Sequence, residues 1–344
     1  MKLKERLLNC AAVQGISARE NTIAEYLLQE LHGMDIPAHL DTNGNVHGRI
    51  ESRDKDAKTV LLEAHMDQIG LMISGIDENG YLQFVNLGGV DERTLCGMEV
   101  MVLSKTPLYG VIGAVRKKAS GEEKPKNPKI EELSIDVGLD RETAQAQVKV
   151  GDVVSIYAPP RELLGDKISG TAMDNRAGVT AILDCLKRLV DKSLPYHLEI
   201  LFSTGEELGL QGAYTGVTPG MADMAIAVDV TFGTTPDTKE ETGVFPLGCG
   251  AVIARGPSLH DTYTRQLIAL AKEKEIPYEI EPIPGSSGTT AWAIQTVGNG
   301  IPTALISIPL RYMHTNVETL AVKDIQAVSD LLYEAVTGGM QFAE

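Results

Sequence analysis

Apolar residues recur at helical spacing from Asn21 to Leu31, and a continuous apolar run, Thr59-Val60-Leu61-Leu62-Glu63-Ala64, then reads as a buried strand. Residues 1–65 are therefore expected to form two helices followed by strands. Between Gln68 and Leu163 the pattern breaks into short runs, Leu82–Val85, Glu99–Leu103, Tyr109–Ala114 and Gln147–Ile156, separated by Gly, Asp and Asn, which predicts a small all-β module. Within it the charged, proline-bearing stretch Ser120–Leu133 reads as a mobile loop. After Gly165 the alternation of helix and strand returns. Asn175–Leu189, Ser258–Lys274 and Val322–Val336 read as helices, and His197–Phe202, Ala222–Val230 and Thr303–Ile308 as strands. The expected architecture is one α/β domain, residues 1–67 and 164–344, interrupted by an inserted β domain, residues 68–163.

Composition narrows the function classes. The chain has 344 residues, 43% of them hydrophobic, and a formal net charge of -16, which gives no general attraction to nucleic acid or to an anionic membrane. The N-terminal residues mix charges with apolar positions and never build the apolar stretch of a signal peptide, and no segment approaches a membrane-spanning length. Cys10, Cys96, Cys185 and Cys249 are scattered without a C-x-x-C pair, so neither a disulfide framework nor a thiolate metal site is indicated, and a reducing cytoplasm is the expected location.

Chemistry collects at the ends of the predicted strands. His65 and Asp67 follow the first apolar run, Glu206 and Glu207 follow His197–Phe202, and Asp229 ends Ala222–Val230. Asp174 opens a predicted helix and His314 comes after the last strand. In a sheet flanked by helices, ligands bind beyond the carboxyl ends of the strands. Imidazoles and carboxylates without thiolates suit zinc, cobalt or manganese, and one carboxylate is able to bridge two ions about 3.5 to 4 Å apart. Two histidines favour two ions, and the surplus carboxylate is left as a base. Each residue also has an ordinary reading. Glu206-Glu207 suits a solvated helix start, Asp174-Asn175 an N-cap, and Asp229 a plain strand end. His32, His39, His47 and His197 read as structural or exposed, and His260 as a helix cap or a residue lining the site.

The motifs AHMDQIG, MDNRAG, EELGLQGA, the VD of Val228-Asp229 and YMHT, in this order, resemble the dinuclear metallo-aminopeptidases that include glutamyl, deblocking and tetrahedral aminopeptidases, some labelled endoglucanase M. The resemblance covers nearly the whole chain. It implies a zinc-peptidase-like α/β/α catalytic domain with an inserted barrel-like dimerisation domain, and dimers that assemble into a tetrahedral dodecamer. It also implies removal of N-terminal residues from short peptides by a water activated by two divalent metal ions, zinc above cobalt or manganese. His65, Asp174 and Asp229 would hold one ion and Asp174, Glu207 and His314 the other. Glu206 would be the general base and Asp67 the carboxylate that fixes the His65 ring. A cis peptide between Asp174 and Asn175 is a further expectation.

Two departures stand out. Gly288-Thr289-Thr290-Ala291 carries threonine where relatives carry the aspartate of G-T-D-A, and Gly248-Cys249-Gly250-Ala251 stands for G-K-G-P. Competing readings are an N-acyl amino acid amidohydrolase, a peptide-binding scaffold that has lost catalysis, and a glycoside hydrolase. The last needs two carboxylates and no metal, leaving both histidines unexplained. A pocket selective for acidic side chains would need a basic residue, with Arg255 and Arg311 as candidates.

Overall fold

The computed structural model describes residues 1–114, 128–236, 238 and 243–342. Of the stretch Ser120–Leu133, residues 120–127 lie outside the described residues, and the remainder makes a tight turn at Ile130–Glu132 that leads into a strand.

The first part of the chain forms α1 (Leu3–Ala12), α2 (Asn21–His32), β1 (Ala38–Leu40), β2 (Val46–Ile50) and β3 (Thr59–His65). Next come β4 (Gly70–Ile76), β5 (Leu82–Leu87), β6 (Glu99–Val102), β7 (Leu108–Ala114), β8 (Leu133–Asp136), α3 (Arg141–Gln147) and β9 (Val153–Ile156). The chain continues through β10 (Arg161–Leu163), β11 (Lys167–Gly170), α4 (Met173–Leu189), β12 (His197–Ser203), α5 (Gln211–Gly216), β13 (Met224–Phe232) and β14 (Ala251–Arg255). It ends with α6 (Asp261–Glu273), β15 (Tyr278–Pro282), α7 (Thr290–Ile294), β16 (Thr303–Leu310), β17 (Glu318–Ala321) and α8 (Val322–Glu334).

Eight strands make a mixed sheet in the order β1-β2-β12-β3-β13-β16-β14-β15. Its centre, β12, β3, β13 and β16, is parallel, so all four strands deliver their carboxyl ends to one edge. Alternation along β3 explains why that centre is buried on both faces. Val60, Leu62 and Ala64 join the large core beneath α1, α2, α4, α6 and α8, whereas Leu61 joins a smaller core with Ala213 of α5 and Ala291 of α7 on the opposite face. The result is a three-layer α/β/α sandwich.

Strands β4-β5-β8-β7-β6-β9 close into an antiparallel barrel with its own core, which includes Leu71, Val100, Ile112 and Ile135. Closure leaves the six strands without an edge. The apolar run Gln147–Ile156 does not form one strand. Asp140 caps α3 by accepting from Thr143 N at 2.8 Å, that helix continues to Gln147, and Gly151, at φ +93°, turns the chain before β9 begins at Val153. The short β14, β15, β17, α5 and α7 carry no strong periodicity and lie outside the sequence expectation. Among the described residues no helix is long and apolar enough to cross a membrane.

Candidate metal centre and its surroundings

The parallel strands bring the strand-end residues to one cavity. His65 is the last residue of β3, Glu206 and Glu207 lie in the turn after β12, Asp229 is in β13, and His314 follows β16. Asp174 sits at the start of α4, where backbone angles at Asp174 and Asn175 are not helical and the peptide between them is cis. Asn175 caps the helical part of α4, the ordinary reading the sequence offered, and also ties it to the sheet. Its Nδ2 donates to Val228 O at 2.8 Å and its Oδ1 accepts from Gly178 N at 3.0 Å, fastening α4 to β13 beside Asp229.

The two oxygens of Asp174 face different histidines. Oδ1 lies 3.1 Å from His65 Nε2 and Oδ2 lies 3.4 Å from His314 Nε2. Around the first imidazole, Asp229 Oδ1 stands 3.6 Å and Glu206 Oε2 4.0 Å from Nε2. Around the second, Glu207 Oε2 is 3.4 Å from His314 Nε2. Donor atoms of His65, Asp174 and Asp229 all lie within 4.8 Å of one another, as do those of Asp174, Glu207 and His314. The two sets share only Asp174.

Each imidazole also faces an acceptor on its outer side. His65 Nδ1 is 3.3 Å from Asp67 Oδ1, and the His314 ring meets the backbone of Gly89, a residue of the barrel segment. A Cβ at position 89 would lie 2.7 Å from His314 Nδ1, so the ring needs glycine there. Such partners fix the tautomer of a metal-binding imidazole and aim its other nitrogen inward.

Sequence reasoning assigned Asp67 one task and the structure adds a second. Its fully buried carboxylate accepts Ser17 Oγ at 2.6 Å, Glu206 N at 3.0 Å and Glu207 N at 3.3 Å, so it also sets the turn that carries the glutamate pair. Glu20 helps by accepting Gly205 N at 3.2 Å. Glu318 was missed altogether. It is 2% exposed, its Oε1 accepts His314 N at 2.9 Å and its Oε2 accepts Asp174 N at 3.2 Å. Its only sequence signal was a glutamate four residues beyond His314. Arg176 is also fully buried, donating to the carbonyls of Met66, Cys10 and Val13.

Thr290, the departure from G-T-D-A, hydrogen-bonds Glu63, which also accepts Ser203 Oγ at 2.6 Å. Burial pushes Glu63 up to about 7. A buried carboxyl is thus present beside position 290, supplied from β3. The structure does not bring His260 to the cavity. It precedes α6 and makes no side-chain cap bond.

The charge balance tests whether cations fit. Burial, with Asp229 and Asp174 nearby, pushes Glu206 up to about 8, and burial together with Asp174 pushes Glu207 well above the usual carboxylate range. Asp229 is raised for the same reasons. Burial also acts against ionised Asp174, but hydrogen bonds from His314 and His65 hold it below the usual range. No lysine or arginine among the described residues lines the cavity. Carboxylates crowded out of water with only imidazoles between them match a site for divalent cations.

A family model described as M42 glutamyl aminopeptidase matches residues 44–331. The chain belongs to that family. It is a metal-dependent aminopeptidase. It is 32% identical over 318 residues to the lysyl aminopeptidase of Pyrococcus furiosus, covering 90% of each chain. Among solved structures, an aminopeptidase from the archaeon Desulfurococcus kamchatkensis superposes with a TM-score of 0.90 at 29% identity, over 98% of this chain and 94% of that one. The TET1 peptidase of Pyrococcus horikoshii, described as assembling into a tetrahedron or a large octahedral shell, superposes with a TM-score of 0.84 at 29% identity, over 98% of this chain and 100% of that one. The amidohydrolase, scaffold and glycoside hydrolase readings are not favoured by these relatives.

Proposed function

We propose that this aminopeptidase works as a dinuclear enzyme on short peptides, with one divalent ion held by His65, Asp174 and Asp229 and a second by Asp174, Glu207 and His314. The observation that carries this reading is the division of Asp174, one oxygen toward each histidine. The donor set suits zinc, cobalt or manganese. Such ions, when bound, polarise a carbonyl and bring the ionisation of water near neutral pH.

The chain's own residues do the rest. Asp67 holds the His65 ring and, through the amides of Glu206 and Glu207, the glutamate turn. Glu206 points into the cavity, where its carboxylate would take the proton of the attacking water and hand it to the leaving amine. The acidic walls receive the free α-ammonium of the substrate, which ties activity to the chain terminus. We assign residues 1–67 and 164–344 to this catalytic domain and residues 68–163 to an inserted β domain that reaches it at Gly89.

The protein is proposed to act in the cytoplasm as a homo-oligomer whose dimers build a tetrahedral dodecamer. Light scattering checks the assembly, with a monomer arguing against it. The Glu206→Gln variant should keep two metal ions per chain by elemental analysis and lose turnover by at least about 10². Full activity in that variant would remove Glu206 as the base.

A further inference from the structure

The cavity that gathers the metal-type residues, a recess of about 290 Å³ in all, is lined by one more carboxylate, Glu281, near the end of β15. Glu281 Oε1 accepts the hydroxyl of Thr231 at 2.7 Å, and Thr231 lies two residues beyond Asp229 on β13. The carboxyl group is therefore held against the site rather than swinging in solvent. No described lysine or arginine lines the recess, so no cation of the protein answers this charge. The two basic residues that could have served an acidic side chain are engaged elsewhere. Arg255 is exposed and pairs with Asp261 at 3.2 Å, and Arg311 Nε donates to Thr234 O. Phe232, Ile283, Leu305 and Met313 give the same recess apolar walls.

Apolar walls together with one held carboxylate that has no cationic partner in the cavity are the complement of a long alkyl stem carrying a cation. We propose that Glu281 reads the side chain of the substrate's first residue and selects peptides that begin with lysine or arginine. This rests on the two-ion reading of the site given above. A glutamate side chain in the same recess would meet Glu281 as a like charge, which disfavours an acidic first residue.

The test compares lysyl, arginyl, norleucyl and glutamyl p-nitroanilides with the zinc-loaded full chain. Norleucine has the lysine stem without the charge. The lysyl to norleucyl ratio of kcat/KM should be about 10 to 100 in the wild type, the range expected when a charge-assisted hydrogen bond is lost. It should fall toward one in Glu281→Gln, and Glu281→Arg should reverse the order of the lysyl and glutamyl substrates. A wild-type ratio of one or less overturns the proposal. So does an unchanged ratio in Glu281→Gln, including a uniform loss on all substrates, which would assign Glu281 to the α-ammonium instead. Calorimetric binding of L-lysine amide against L-norleucine amide supplies a reading independent of turnover. Tighter lysine amide binding that Glu281→Gln abolishes supports the proposal, and equal binding refutes it. Failure to cleave any of the four anilides, with lysine amide still preferred, would instead count against the catalytic reading.

Discussion

Glu318 offers the sharpest test of how the candidate centre is held. It has no place in either donor set, yet its two oxygens accept the backbone N–H groups of Asp174 and His314, the residue the two sets share and a histidine of the second set. Changing Glu318 to Gln keeps the shape but turns one acceptor into a donor that faces an N–H. One hydrogen bond is lost and a buried donor is left unpaired, which costs about 1 to 3 kcal/mol. Because the strain falls on the backbone of Asp174 or His314, part of it should appear as misplacement of their side chains. Loss of a partner that orients a ligand lowers metal affinity by about 10 to 100-fold. Calorimetric titration of the metal-free protein with zinc measures this directly, and Glu318→Ala, which leaves both N–H groups without an acceptor, should weaken binding at least as far. If Glu318→Gln lowers the melting temperature but binds two zinc ions with wild-type affinity, Glu318 is only a packing residue and the reasoning fails.

Three other outcomes follow from single contacts. Gly89→Ala would push a methyl group into the His314 ring, and kcat/KM should drop about a hundredfold, the scale of a 1 Å misplacement, with little change in melting temperature; unchanged kinetics would detach the barrel from the site. Asp324, at the start of α8, is buried and accepts Gly248 N at 2.6 Å and Gly250 N at 2.8 Å, and burial raises it to about 6. A raised folded-state value means that stability from this group is fully present below its unfolded value near 3.8 and is lost as pH rises through about 6, up to about 3 kcal/mol in all. Denaturant titrations between pH 4 and 6.5 should show the wild type losing stability relative to Asp324→Asn, and a pH-independent difference would contradict this. Val100→Ala in the barrel core should cost roughly 1 to 3 kcal/mol by urea unfolding, and no measurable cost would mean that the barrel does not unfold together with the rest of the chain.

Much of the architecture was legible because its signals are local. The apolar run before His65 and the helical spacing in Asn21–Leu31 each specify an element without help from distant residues, and the short spaced runs after Gln68 specify a β module. The elements that escaped, among them α3, α7, β15 and β17, are short, and their positions depend on partners far along the chain. Thr290 departs from the G-T-D-A motif of its relatives, and the sequence offers nothing local in place of the aspartate. Only the pairing of α7 with β3 revealed a carboxyl, Glu63, beside it.

The sequence alone determined the kinds of donor, the strand ends that carry them, and the absence of thiolates, because residue type and short-range pattern are written directly in the chain. It could not determine that the Asp67 carboxylate also accepts the amides of Glu206 and Glu207, that Glu318 accepts the amides of Asp174 and His314, or that Glu281 lines the cavity of the metal-type residues. Apart from the contact of Glu318 with His314, those facts join residues far apart in the chain. Only the parallel packing of β12, β3, β13 and β16, with α4 against β3 and β13 and with β15 at the sheet edge beyond β14, brings them together.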